Sequence, residues 1–316
     1  ASGGRGGGIH NLGALKISNS TVSSNTTTSQ FGDGFGGGIY NEGTLTVDNS
    51  TLSHNNCFGG FNIICYGAGI ADTGTLIVNN STVASNSADV GAGIRNNGVL
   101  NLNSSIVAKN IRAASDIFGP VSSGDYNLIG NFLGITGTLP GTQNITGVDP
   151  MLGPLQFNGG STRTRALLLG SPGIDKGKNS NGLADDQRGQ PRTINDLTVA
   201  DAVASDGTDI GAVESNYLIV NTTAQNDDGA CQPLSDGDCT LREAILTANA
   251  AAGTETIVFD IPTTDPGYDS IANRYTITLT SVLPDLNSDM SINGFGANRL
   301  TIRRDAGAGA FRIFAV

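Results

Sequence analysis

The groups best suited to chemistry in this chain are carboxylates in glycine-bearing loops. Asp227, Asp228, Asp236 and Asp238 form the densest set, and loop carboxylates beside glycines suit calcium, a hard cation that takes several oxygens. Their spacing matches neither an EF-hand loop nor a glycine-aspartate calcium nonapeptide, so turn-forming and helix-capping aspartates are the competing use. Ca2+ is thus a candidate ligand and not a required cofactor. Two smaller sets are Asp185 and Asp186 with Arg188, and Asp206 with Asp209. In the first third of the chain the charges are isolated, as at Asp48, Asp72 and Arg95, and no carboxylate pair recurs as acid and base work on a polysaccharide would need. His10 and His54 lie at corner or loop positions with no nucleophile phrase nearby, which gives no support to a catalytic triad. The cysteines come as two local pairs, Cys57 with Cys65 and Cys231 with Cys239. Disulfides in an oxidising compartment explain such pairs better than zinc, which needs four ligands, and free cysteines are the remaining alternative.

These residues must be positioned by a repeat. The phrase Gly36-Gly37-Gly38-Ile39 through Asn55 is written four times, with the third glycine-type position at 8, 38, 69 and 93 and spacings of 30, 31 and 24. A recurring unit of this size signals stacked elements that cannot bury their apolar side alone. Leu15 and Ile17, Leu45 and Val47, Leu76 and Val78, and Leu100 and Leu102 alternate with polar neighbours, the period of a half-buried strand. A second short strand is expected around Val22, Leu52, Val83 and Val107, and glycine supplies the corners. Each unit ends on an asparagine, at Asn25, Asn55, Asn86 and Asn110, whose amides can hydrogen-bond to their own kind one coil away. Four unrelated polar turns would not keep register with the glycines. The expected fold is therefore all-β, a parallel β-helix (solenoid), with inserted loops at 26–35 and 56–66. Phe31, Phe35, Phe58 and Phe61 fall in those loops and are expected to pack them onto the stack. The recurring Asn-Ser-Thr triplets at Asn19, Asn49 and Asn80, like Asn221-Thr222-Thr223, follow the coil rather than a glycosylation signal, and outward Ser, Thr and Asn predict a polar, hydrogen-bonding surface.

Composition agrees. Glycine numbers 45 in 316 residues, tryptophan is absent, aromatics are 5% and charged residues 14%, which suits short strands around a narrow aliphatic core. Phased aliphatics exclude a disordered chain. The net charge of −11 argues against nucleic acid as a partner. No apolar run is long enough to cross a bilayer.

From Asp116 the wording changes to Asp116-Ile117-Phe118-Gly119-Pro120, Tyr126-Asn127-Leu128-Ile129-Gly130-Asn131, Gly147-Val148-Asp149-Pro150, Ser171-Pro172-Gly173-Ile174-Asp175, Asp185-Asp186-Gln187-Arg188-Gly189 and Asp209-Ile210-Gly211-Ala212-Val213-Glu214. In this order the phrases resemble the C-terminal part of the choice-of-anchor Q type domain of bacterial surface proteins. The coils before them are similar to the repeats of polymorphic outer membrane proteins, and together the two cover residues 1–216. The resemblance implies a right-handed parallel β-helix, exported, in a cell-surface or secreted protein.

A second unit, 217–316, opens on a strand at Leu218-Ile219-Val220 after a linker at 216–218. Cys239-Thr240-Leu241-Arg242-Glu243-Ala244-Ile245 resembles the CSLREA motif found near the mature N-terminus of similar proteins, with threonine in place of serine. Asp238 or Thr240 is the expected N-cap of a short amphipathic capping helix near 240–252, with Leu241, Ala244, Ile245 and Ala248 on one face. Such a helix is a natural lid for an open β-helix end. Strands are expected again at 256–260, 275–279, 290–293, 300–303 and 311–316. A lid placed late and a coil placed first read as a circular shift of the plan of similar proteins, expected of a window from a tandem array or of a unit that stacks on the next copy, with a proteolytic fragment as the plain alternative. The function expected from these features is structural and non-enzymatic: an extracellular or cell-surface β-helical unit, partnering with itself head to tail and with surface glycans as candidate ligands. The rival is a polysaccharide-active enzyme or carbohydrate-binding module on the same scaffold.

Overall fold

A computed structural model of the protein describes residues 3–113, 115–195, 199–228, 231, 238–251 and 255–316. Among these residues the fold is nearly all β, with 34% strand and one short helix, and the chain divides into two compact units, Ala1–Ser215 and Asn216–Val316.

In the first unit the repeat closes into a parallel β-helix with three principal sheets. Sheet 1 stacks Ile9–Asn11, Ile39–Asn41, Ile70–Asp72, Ile94–Asn96 and Ile117–Phe118. Sheet 2 stacks Ala14–Ser18, Thr44–Asp48, Thr75–Asn79 and Val99–Asn103; sheet 3 stacks Thr21–Ser23, Thr51–Ser53, Thr82–Ala84, Ile106–Ala108, Leu128–Ile129 and Ile145–Thr146. All pairings within these sheets are parallel and put like on like: Leu15 beside Leu45, Leu76 and Leu100, and Ile39 beside Ile70 and Ile94. Because side chains alternate, each rung sends the same aliphatic positions inward, and the core is one axial column of Ile, Leu and Val. The corner before sheet 1 needs left-handed backbone, at Gly36 (φ +65°), Gly67 (φ +58°) and Gly91 (φ +54°), and a Cβ on Gly36 would lie 2.3 Å from the Ile39 carbonyl oxygen. The corner between sheets 2 and 3 uses asparagine for the same purpose, at Asn19, Asn49 and Asn80 (φ 49°, 44° and 43°). That explains the Asn-Ser-Thr triplets, in which asparagine turns, serine bonds along the axis and threonine faces outward.

Three expectations need correction. The stretches at 26–35 and 56–66 are not plain loops: Thr26–Ser29 pairs with Asn56–Gly59, and Gly34–Phe35 with Cys65–Tyr66, because two insertions of similar length sit on adjacent coils. Within them Phe35 stacks on Tyr66, whereas Phe31 (66% exposed) and Phe61 (95%) stand in solvent instead of packing on the coils. Second, the stack does not end with the four repeats; beyond Asp116, where the wording changes, Ile117 and Leu128 continue the core columns beside Ile94 and Ile106. Third, the outward surface is not uniformly polar and solvated. The closing segment, about 150–215, runs over sheet 3 and buries its outer face, with Thr51, Ser53, Thr82, Ala84, Ile106 and Ala108 at or near zero exposure. Gln187 meets Thr51 (2.6 Å), the Ala212 amide donates to Thr82 (3.1 Å) and Arg165 donates to Ser53 (2.9 Å).

The second unit is a shorter stack. Tyr217–Val220, Glu255–Phe259 and Met290–Asn293 form one parallel sheet, and Arg274–Leu279 pairs in parallel with Leu300–Arg304. Tyr217 already belongs to the first strand, so the linker is shorter than expected. Helix α1, Leu241–Ala250, starts at Thr240, whose side chain and that of Glu243 cap each other reciprocally. Its buried face, Leu241, Ala244, Ile245 and Ala248, joins the core of this unit. Residues 311–316 form no strand; the Ala315 carbonyl accepts from the Leu286 amide (2.8 Å), while Phe311 and Ile313 pack on the core unpaired.

Candidate functional site

Polar side chains in the first unit are organised along the axis. Asn25 donates Nδ2 to Asn55 Oδ1 (3.0 Å), Asn55 to Asn86 (3.0 Å), Asn86 to Asn110 (2.9 Å) and Asn110 to Asp116 (2.8 Å). Each Oδ1 also accepts the preceding rung's backbone amide, as in Asn55 N to Asn86 Oδ1 (3.0 Å). Three further ladders were not anticipated. Ser20, Ser50 and Ser81 each direct a backbone amide to the next serine hydroxyl, ending at Ser105, which donates to Asn127. Asn11, Asn41 and Asp72 form another, and Asn103, Asn79 and Asp48 a third. Their signal was present in the repeat, since each set recurs at the coil spacing, but residues about thirty apart look unrelated until the register is drawn.

The acidic residues of the closing segment converge as well. Asp186, Asp209, Glu214 and Arg192 are all fully buried. Arg192 donates to the carbonyls of Asp209 (3.0 Å) and Gly211 (2.6 Å), with its Nε 3.9 Å from Glu214. Asp209 accepts from the Asp175 amide (2.8 Å) and from the amide and hydroxyl of Ser215, and Asp186 pairs with Arg188 (2.7 Å) while accepting the Glu214 amide (2.9 Å). Burial pushes Asp209 up to about 6, and burial together with Asp209 pushes Glu214 well above the usual carboxylate range. Enclosed acids with raised values are tools for proton transfer when they face a cleft. Here they face two loops and hold them together.

A carboxyl raised in the fold favours the protonated form, so its contribution is complete below the unfolded value and is lost as pH rises through the folded one. For Asp209 the window runs from 3.8 to about 6, worth about 3 kcal/mol at roughly 1.4 kcal/mol per unit. His54 acts oppositely: burial and Arg165 lower its value, so its contribution is complete above 6.5 and is lost as pH falls from there through the lowered folded value. Four carboxyls of the first unit, Asp72, Asp116, Asp209 and Glu214, are raised by burial and outweigh one histidine, so the unit is expected to resist urea better at about pH 5 than at about pH 8. Equal or reversed urea midpoints would contradict this.

The candidate calcium loop is partly assembled. Asp228, Asp238 and the unanticipated Glu243 have carboxylate oxygens within 4.8 Å of one another. Asp227 is not in that group, and Asp236 lies outside the described residues. The Asn226 amide bridges Asp228 (2.8 Å) and Asp238 (3.0 Å), while Glu243 accepts the amides of Asp228 (3.0 Å) and Thr240 (2.8 Å). The donor set has the hard oxygens calcium prefers, yet each carboxylate already accepts protein N–H groups and the arrangement caps α1. The cysteines are bonded as Cys57–Cys65 and Cys231–Cys239, with no free cysteine among the described residues.

The outer side of the glycine corner carries a mixed strip. Phe35 lies against Tyr66 (5.2 Å between centroids) and Tyr40 (5.7 Å), Arg95 against Tyr66 and Phe118, and Arg5 over Tyr40. Glu42 binds Arg5 (2.9 Å) and His10 (3.3 Å). Burial raises Tyr40 above its ordinary value, which favours its neutral phenol over the phenolate.

Comparison with protein-family models, with curated proteins and with solved structures finds no match to this chain.

Proposed function

We propose that this chain is a structural, non-enzymatic length of β-helix from an extracellular bacterial surface protein or fibre, serving as stalk, sheath or adhesin. The observation that carries the reading is the set of continuous side-chain ladders, which commit the polar groups of the coils to axial bonding and leave them unavailable for chemistry. Both disulfides support an oxidising compartment. The phrases shared with choice-of-anchor Q domains and the CSLREA-like segment support a surface-protein origin.

The proposed partner is a further coil of the same kind, in a second copy. Ile9–Asn11, Ala14–Ser18 and Thr21–Ser23 are edge strands of their sheets, as are Met290–Asn293 and Leu300–Arg304 in the second unit. Parallel edges of this type accept another strand, and a non-closing contact between unlike faces builds fibres. The glycan-binding rival draws on the arginine-aromatic strip around Arg95. Sedimentation and electron microscopy across a concentration series separate the ideas: linear assemblies that lengthen with concentration are expected, and monomers throughout would remove self-stacking while leaving the structural reading intact. That reading itself falls if the chain releases new ends from an acidic polysaccharide.

A further inference from the structure

The three side-chain ladders that contain an aspartate treat it in different ways. Asp48 accepts from Asn79 (2.8 Å) and is paired with Lys16 (2.9 Å). Asp116 has both oxygens satisfied, Oδ1 by the Asn110 amide groups (2.8 and 2.9 Å) and Oδ2 by the Asn131 amide (2.6 Å). Asp72 has neither arrangement. Its Oδ1 accepts from Asn41 (2.6 Å) and the Gly74 amide (3.3 Å), while Oδ2 is buried without a hydrogen-bond partner. The residue is 1% exposed. Charged side chains beside the flanking rungs are engaged elsewhere, Glu42 with Arg5 and His10, and Arg95 with Tyr66 and Phe118.

An ionised oxygen enclosed without donor or cation is the costly state of a carboxyl, and a proton removes the cost. The next rung in register is Asn96, whose Oδ1 accepts the Gly98 amide (2.9 Å) and retains acceptor capacity. We propose that Asp72 is a proton-binding rung, taking up a proton on Oδ2 in the folded protein and so turning an acceptor-only end of the Asn11–Asn41 ladder into a link toward Asn96. Burial pushes this carboxyl up to about 6, which places the uptake in mildly acidic solution. The stack between the second and fourth coils is then tighter in acid than at neutral pH.

The test reads the carboxyl carbon directly, by NMR of protein labelled with 13C-aspartate, with Asp72→Asn and Asp72→Ser each identifying the resonance. A midpoint of about 6 is expected, against 3.8 for the free side chain. In urea unfolding, Asp72→Asn supplies the amide donor permanently. Its folding equilibrium constant is expected to exceed that of the wild type by up to about a hundredfold at about pH 8, with the gap closing below about pH 4. An Asp72 midpoint in the ordinary carboxylate range, or an Asp72→Asn protein less stable than wild type at the higher pH, overturns the proposal.

Discussion

Replacing Arg192 by methionine is expected to cost about 3–5 kcal/mol at neutral pH, the usual cost of removing one partner from a buried charged group. The side chain is fully buried, and it ties the carbonyls of Asp209 and Gly211 while facing Glu214. Arg192 lies beside two carboxyls, Asp209 and Glu214, whose values are both raised, by burial first. Without Arg192 an ionised carboxyl there loses its buried counter-charge, and the site recovers by binding protons. The loss should therefore shrink in acid. Its structural consequence is directional: residues 209–214 seat the closing segment on sheet 3 through the Gly211 amide to Ser104 (2.9 Å) and the Ala212 amide to Thr82. Limited proteolysis of Arg192→Met should cut between 150 and 215 before the coils yield. Cleavage in the coils first, or wild-type stability in urea, would show that the segment is held by other contacts.

The coils were legible because their signal is periodic: aliphatics at fixed offsets, left-handed glycine corners and terminal asparagines all survive in one dimension. The apolar face of Leu241, Ala244, Ile245 and Ala248 after a capping residue likewise announced helix α1, whereas the reciprocal cap of Thr240 by Glu243 emerged only in the structure. The closing segment was not legible as a cover. Nothing local in Gln187, Ala212 or Arg165 says that they meet Thr51, Thr82 and Ser53, more than a hundred residues away in sequence. Threonines that read as solvated surface are therefore buried rungs. The same limit hid the acid knot, since Asp186, Asp209 and Glu214 resemble solvated loop carboxylates until Arg192, an unremarked residue after a proline, is placed among them. Where the coil repeat keeps time, sequence reports structure; once the chain doubles back, the contacts depend on how the coils have already packed.

Direction within the ladders yields the second large effect. An asparagine rung both accepts and donates, so it passes a hydrogen bond along, whereas an ionised aspartate can only accept and must end the run. The sequence of bonds obeys this: Asn25 donates through Asn55, Asn86 and Asn110 to Asp116, and Asn103 donates through Asn79 to Asp48 in the opposite sense. The cost of deleting a rung therefore depends on its place. Asn86→Ala removes the acceptor of two Asn55 N–H groups (both 3.0 Å) and the donor to Leu52 O (3.0 Å), all buried, together with the part-buried bond to Asn110 Oδ1 (2.9 Å). At about 1–3 kcal/mol for each buried group left unpaired, a loss of about 4 kcal/mol or more is expected. Asn25→Ala, at the half-exposed start of the run, frees Asn55 Oδ1 from one side-chain donor and should cost about 1 kcal/mol. Asn86→Asp keeps the acceptor but cannot donate onward and adds a buried charge, so it should be as damaging as alanine at neutral pH. Urea unfolding of the three variants would decide the matter, and equal losses for Asn25 and Asn86 would mean that the amides fill space and the ladder carries no cooperative bond.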